Sequence, residues 1–255
     1  MGSALLQGWL KSDLKSITVV EPKPSAALRK LAKAKKIALV AAPSQVKQKP
    51  SACLVAIKPQ VLKGEAPALA DFASRGALMI SIAAGTSVAA LSKAWGKKAR
   101  IIRAMPNTPG AIGAGITGLY AAKRVTAADK KRAASLLAAL GETVWVSKET
   151  LIDSVTAVSG SGPAYLFLMA EALTEAGVAE GLPRAQAELF ARATVSGAGA
   201  LLAADPSPAA ALRQAVTSPG GTTAAALAVL MADDGLMALI KRAVRAARKR
   251  AQELG

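Results

Sequence analysis

The sequence predicts an α/β half, with a mostly parallel sheet covered by helices on both faces, followed by an all-helical half. Three observations carry that expectation. Up to about residue 150, short β-branched or apolar runs alternate with longer stretches of helical periodicity, which suits strands buried on both faces. From Ile152 onward only helical patterns remain. A hydrophobic content of 52% with 3% aromatics, in 255 residues, supplies aliphatic cores for two ordinary domains. The expected domains are 1–150 and 151–255, divided by a change of class and not by a linker.

Taken in order, Met1-Gly2-Ser3-Ala4 opens directly in a helical pattern. Residues 17–20 read as a strand that ends at Glu21, and 25–35 as a basic-faced helix. Further strands are expected at 37–40, 53–57, 78–83 and 100–104. Thr126 can cap a helix over 126–140 that Gly141 ends, and 143–146 is a last strand. In the second half, helices are expected at 162–179, from Pro183 to about 204, at 209–216, at 222–231 and at 236–254. Pro183 suits a first helical position, and Asp205-Pro206-Ser207-Pro208 stops the second of these helices.

Composition excludes several kinds of chemistry. With no histidine, Ser-His-Asp and Cys-His catalysis and His-ligated zinc are all ruled out, and no metal site is expected. The reaction must run on hydroxyls, lysine, carboxylates, backbone dipoles or a cofactor. The single cysteine, Cys53, lies in a strand-like run and reads as a small core residue. No apolar run approaches the ~20 residues of a membrane span, and the start has neither a basic leader nor a myristoylation pattern, so the cytoplasm is the expected compartment. The net charge of +17 is densest at 241–250. There Ile240, Val244, Ala247 and Ala251 form one helical stripe with the cations around it, a solvated face. No nucleic-acid fold signature accompanies the charge, so only salt-sensitive, non-specific polyanion binding is expected.

Two hydroxyl-rich segments stand out, Val155 to Tyr165 and Thr217-Ser218-Pro219-Gly220-Gly221-Thr222-Thr223. Each places small residues, hydroxyls and a proline where a helix begins. Facing one another, two such helix starts would make a cradle for a small anion such as a carboxylate. Glycine hinges and ordinary capping are the plain alternative, which the paired threonines and glycines of the second segment exceed. Lys58, within Ala56-Ile57-Lys58-Pro59-Gln60, follows a strand; it either approaches a cofactor or is a solvated loop lysine. Asn107, within Met105-Pro106-Asn107-Thr108-Pro109, also follows a strand, with a Pro-rich turn and a strained Asn as its alternative.

These motifs, together with Ser81-Ile82-Ala83-Ala84-Gly85 and their order and spacing, resemble the pyrroline-5-carboxylate reductase family along essentially the whole chain. The resemblance implies a Rossmann-like dinucleotide-binding domain and an all-α domain that binds substrate and dimerises, with homodimers or rings of dimers. It implies that Ser218, Gly220, Gly221, Thr222 and Thr223 hold the carboxylate and ring of pyrroline-5-carboxylate, with Thr223 nearest the imine nitrogen. Gly2, Glu21, Ala56, Lys58, Pro59, Ala83, Ala84, Met105 and Asn107 would bind the cofactor, and Thr223 and Lys58 take the catalytic roles. Glu21 favours NADH, whereas Lys23, Ser25 and Arg29 favour the extra phosphate of NADPH. Family members begin with a strand and a glycine-rich turn; this chain opens at the last Met-Gly of that turn, so the first strand is expected to be missing. The alternatives are a truncated, catalytically impaired relative that only dimerises, a basic nucleic-acid binder, and, among enzymes, a β-hydroxyacid dehydrogenase.

Overall fold

The computed structural model describes residues 1–35 and 37–254. Internal packing divides the chain into two compact units: Met1–Gly160 together with the chain from Arg248 on, and Ser161–Ala247.

The first unit contains α1 (Gly2–Trp9), β1 (Thr18–Val20), α2 (Ala26–Lys35), β2 (Ala38–Val40), β3 (Ala52–Val55), α3 (Pro59–Glu65), α4 (Ala70–Ser74) and β4 (Leu78–Ser81). It continues through α5 (Val88–Trp95), β5 (Arg100–Met105), β6 (Gly115–Ala121), α6 (Ala127–Leu137), β7 (Gly141–Trp145) and α7 (Leu151–Val155). One sheet runs β3-β4-β5-β6-β7, and β1 pairs with β2 in a separate parallel ladder. β3, β4 and β5 are parallel, β6 is antiparallel to β5, and β7 is parallel to β6.

β4 explains why the strands read as unbroken apolar runs. Leu78 and Ile80 join Leu5, Ile102, Leu119, Leu137 and Leu140 on one face, while Met79 joins Leu62, Phe72, Leu91, Trp95 and Ile101 on the other. Alternate side chains leave opposite faces, so a strand covered on both sides needs an apolar residue at every position. The indoles of Trp9 and Trp95 close this packing by donating to Leu136 O (2.7 Å) and Ala66 O (3.0 Å).

β1 and β3 are not hydrogen-bonded to one another, so the sheet is in two pieces. A cavity of about 230 Å³ lies at their amino ends, lined by Ser16, Thr18, Gln48, Lys49, Ser51 and Ala52 among others. In the doubly wound strand order this break falls where the first strand of a mononucleotide-binding half stands. The expectation of a Rossmann-like α/β unit with a mostly parallel sheet is met.

β6 was not anticipated from the sequence. Its Gly115 and Gly118 weaken a strand pattern, yet both are needed. A Cβ on Gly118 would lie 2.6 Å from Val155 Cγ1, and one on Gly115 would lie 2.6 Å from Gly110 N. Val155 belongs to α7, and the π-helical turn Thr156–Gly160 that follows brings Gly160 against Met105 Cε. These two contacts hold residues 151–160 on the sheet. The compact unit therefore extends ten residues past the boundary expected from the sequence at 150.

In the second unit α8 (Gly162–Ala179) and α9 (Arg184–Ala204) form a hairpin in which Gly177 meets Leu182 and Ala187. α10 (Ala209–Ala215), α11 (Thr222–Leu230) and α12 (Leu236–Glu253) follow, the end of α12 grouping with the first unit. Among its described residues only Thr174, Ala187 and Ala191 are buried.

α6 starts with a capping box. The Thr126 hydroxyl accepts from Asp129 N–H (3.1 Å), and the carboxylate accepts from Thr126 N–H (3.0 Å) and the Thr126 hydroxyl (2.9 Å). Arg100, at the start of β5, adds an ion pair at 2.6 Å to a carboxylate that is 2% exposed. Burial raises the pKa of Asp129, but the bonds from Thr126 and the Arg100 charge outweigh it and leave the carboxyl below its usual range. We expect Asp129→Ala to lose about 2 kcal/mol in urea unfolding, since a cap and a charge-assisted bond disappear together. Because the folded-state pKa is depressed, this contribution is complete above the unfolded value near ~4 and fades as pH falls through the folded value. The gap between wild type and variant should accordingly narrow with acidification.

Candidate functional site

The candidate cofactor residues of the first unit gather at the carboxyl ends of β1, β3, β4 and β5. α1 has no side-chain cap and no acidic residue in its first turn. Its Gly2 approaches so closely that a Cβ there would lie 3.2 Å from Ala56 Cβ. The unbonded first amides of α1 thus open beside the end of β3, where a helix start favours an anion. Glu21 follows β1; its N–H donates to Val40 O (2.9 Å) and its Oε1 accepts from Lys23 N–H (3.0 Å), which leaves its second oxygen available. Lys23, Ser25 and Arg29 are exposed nearby in sequence, and the Ser25 hydroxyl caps α2 by accepting from Leu28 N–H at 3.2 Å.

Lys58 precedes α3, whose first position is Pro59, and its carbonyl accepts from Val61 and Leu62 N–H at 3.0 and 2.9 Å. Its side chain is exposed. After β4, Ala83 is buried and its N–H donates to Ser81 Oγ at 3.3 Å. Gly85 then turns the chain at φ 70°, with Leu254 packed where a side chain would stand. After β5, Met105 is half-buried against Gly160. Asn107 is extended (φ −124°, ψ 168°), so the strained conformation weighed from the sequence is not adopted. Its Oδ1 accepts from Ile116 N–H at 3.0 Å and pins the β5–β6 connection.

Three further residues bear on this edge. Ser159 Oγ is buried without a hydrogen-bond partner, next to the Gly160–Met105 contact. Arg103, 6% exposed on β5, pairs with Glu149 at 2.8 Å. The sequence signal for Arg103 was a cation inside an apolar strand; its partner, 46 residues away, carried none.

In the second unit, Gly221 N–H donates to Ser218 O at 3.1 Å across Pro219 and Gly220, and Gly220 has φ 71°. Proline second and a positive-φ glycine third define a type II turn. Gly221 precedes α11 without a side-chain cap, and the Ser218 hydroxyl occupies the space a Cβ on Gly221 would need. Thr222 is exposed and Thr223 half-buried in the first turn of α11. The turn thus presents hydroxyls and unbonded amides together. The first hydroxyl-rich segment is built differently from the expectation: Ser161 is helical (φ −85°, ψ −24°) and caps nothing with its side chain, because a π-helical turn joins α7 to α8.

Burial pushes the Cys53 thiol up to about 12, so it is no nucleophile at neutral pH. Among the described residues no group of three or more His, Cys, Asp or Glu could hold a metal ion. No helix described is long and apolar enough to cross a membrane.

Comparison with known proteins places the chain in a family. A family model described as pyrroline-5-carboxylate reductase dimerisation matches residues 149–254. One described as NADP oxidoreductase coenzyme F420-dependent matches residues 1–85. A pyrroline-5-carboxylate reductase of Synechocystis is 48% identical over 202 residues, covering 79% of this chain and 74% of its own. The chain belongs to the pyrroline-5-carboxylate reductase family. The Pasteurella multocida reductase is 35% identical over 100% of this chain and 94% of its own. The solved reductase of Coxiella burnetii covers 100% of this chain and 94% of its own at 36% identity, with a TM-score of 0.92. That of Plasmodium falciparum, solved with NADP bound, has a TM-score of 0.82 at 27% identity. The match to a dimerisation model indicates homo-oligomerisation.

We expect Cys53 to resist iodoacetamide at pH 8 in the native protein and to react after unfolding in urea, as read by mass spectrometry.

Proposed function

We propose that this chain is a pyrroline-5-carboxylate reductase that uses NADPH or NADH to form L-proline, the last step of proline synthesis. The observation that carries the reading is the Ser218–Thr223 turn: a type II turn running into an uncapped helix start, on a chain belonging to this family. The carboxyl edge of the sheet fits a nicotinamide dinucleotide. The bare start of α1 suits a pyrophosphate, and the second Glu21 oxygen suits a ribose hydroxyl. Lys23, Ser25 and Arg29 suit a 2′-phosphate, and the matching NADP oxidoreductase model together with the NADP-bound relative favours NADPH.

When bound, the reduced nicotinamide supplies the hydride that adds to the C=N carbon, and the ring nitrogen keeps its proton in the product. The α11 amides and the Ser218 and Thr222 hydroxyls hold the substrate carboxylate. Thr223 hydrogen-bonds the ring nitrogen. Lys58, Pro59, Ala83, Ala84, Met105 and Asn107 border the nicotinamide. A protonated cyclic imine is already electrophilic, so holding it in place and stabilising its charge distribution provide most of the rate. That is chemistry a chain without histidine can perform.

The assembly we propose is a homodimer, or a ring of dimers, in the cytoplasm. Leu166, Phe167 and Leu168 on α8 and Leu189 and Phe190 on α9 are exposed in the single chain and would be covered by a second copy.

Loss of nicotinamide absorbance on adding pyrroline-5-carboxylate, with NADPH and NADH tried separately, tests the reading; a folded oligomer that turns over neither would leave it a catalytically impaired relative. Thr223→Ala should lower kcat by about 10- to 100-fold with an unchanged melting temperature. Unaltered steady-state kinetics would remove Thr223 from the site.

A further inference from the structure

The loops after β4 and β5 share one anchor. Glu149 Oε1 accepts from Arg103 Nη1 at 2.8 Å and from Val88 N–H at 2.7 Å. Arg103 stands two residues before Met105, at the end of β5. Val88 is the first residue of α5, three residues after Gly85, so its N–H has no partner within its own helix. A carboxylate at that helix start also meets the positive end of the helix dipole. Ser87 completes the cap by accepting from Ala90 N–H at 3.2 Å. One carboxylate oxygen therefore sets the separation between α5 and β5, and with it the spacing of the two loops that follow β4 and β5.

Charge makes this more than an ordinary cap. The Arg103 side chain is 7% exposed and Glu149 29%. A buried guanidinium without its counter-charge is costly, so loss of Glu149 would drive Arg103 to move and take the end of β5 with it. Gly85 is independently fixed by Leu254, and Ala83 by the Ser81 hydroxyl. The β4 loop is thus held along its length, and beyond the β4–β5 ladder, which ends at Ser81 and Arg103, Glu149 ties the start of α5 to β5.

We propose that Glu149 is a positioning residue for the cofactor. Through Arg103 and Val88 it holds Met105–Asn107 and Ala83–Gly85 at the spacing the nicotinamide requires. This rests on the reductase reading above. Glu149 itself touches neither cofactor nor substrate; it acts through the two loops.

The experiment measures NADPH binding by nicotinamide fluorescence, steady-state kinetics and thermal melting on the full chain. It compares wild type, Glu149→Gln, and the double variant Arg103→Leu with Glu149→Leu. Glu149→Gln should raise the Kd for NADPH about tenfold and lower kcat, with the KM for pyrroline-5-carboxylate within about twofold. The double variant removes both charges, so its melting temperature should return close to wild type while the Kd stays raised, because the bond to Val88 is still gone. Glu175→Gln, which breaks the exposed pair with Arg184, should change none of these. A double variant with wild-type NADPH affinity, or a Glu149→Gln protein altered only in melting temperature, would overturn the proposal. A wild-type protein that neither binds nor oxidises NADPH would instead overturn the reductase reading.

Discussion

The helical unit has almost no buried core of its own among its described residues. Between Ser161 and Ala247, helices that include α8 and α9, 18 and 21 residues long, bury only Thr174, Ala187 and Ala191. Helices in proteins owe most of their stability to packing of an apolar face, and a bare hairpin of this kind has little to pack. Its leucines and phenylalanines reach solvent in the single chain. The match to a dimerisation model over residues 149–254 agrees with so much exposed apolar surface.

The sheet unit works differently. It has two aliphatic cores, one on each face of β4, and most of its candidate ligand groups are backbone or small side chains at strand ends. Close approach replaces reactive side chains there: Gly2 on Ala56, Gly85 on Leu254 and Gly160 on Met105. A reaction whose substrate is already electrophilic requires little more than fixed amides, a few hydroxyls and a well-placed reductant. The absence of histidine and the raised pKa of the half-buried Cys53 are consistent with that economy.

Much of this was legible in the sequence, for local reasons. The helices over 162–179 and 126–140 announced themselves through Pro163, Gly181, Thr126 and Gly141, whose effects act within a turn of their own position. The type II geometry of the second hydroxyl turn is likewise encoded by Pro219 and Gly220 alone. What stayed hidden depends on distant partners. β6 was masked by glycines whose purpose is to admit Val155 and Gly110, and the π-helical turn is visible only once Gly160 meets Met105. Nothing local in the sequence singles out Glu149, because Arg103 and Val88 are 46 and 61 positions away. Asn107 was found as a candidate, but its bond to Ile116 shows that its carboxamide also maintains the strand connection.

The break between β1 and β3 also has a thermodynamic consequence. The β1–β2 ladder consists of three residue pairs, and its strands keep free edges toward the break. Its amides should exchange with solvent well before those of β4, because so short a ladder opens locally at little cost. Yet this ladder carries Glu21 and leads into Lys23, Ser25 and Arg29. A dinucleotide spanning the break would be held by the ladder at one end and by the five-stranded sheet at the other, which would link binding to ordering. Part of the intrinsic affinity would then be consumed in closing the ladder, and a bound ligand would protect it in return.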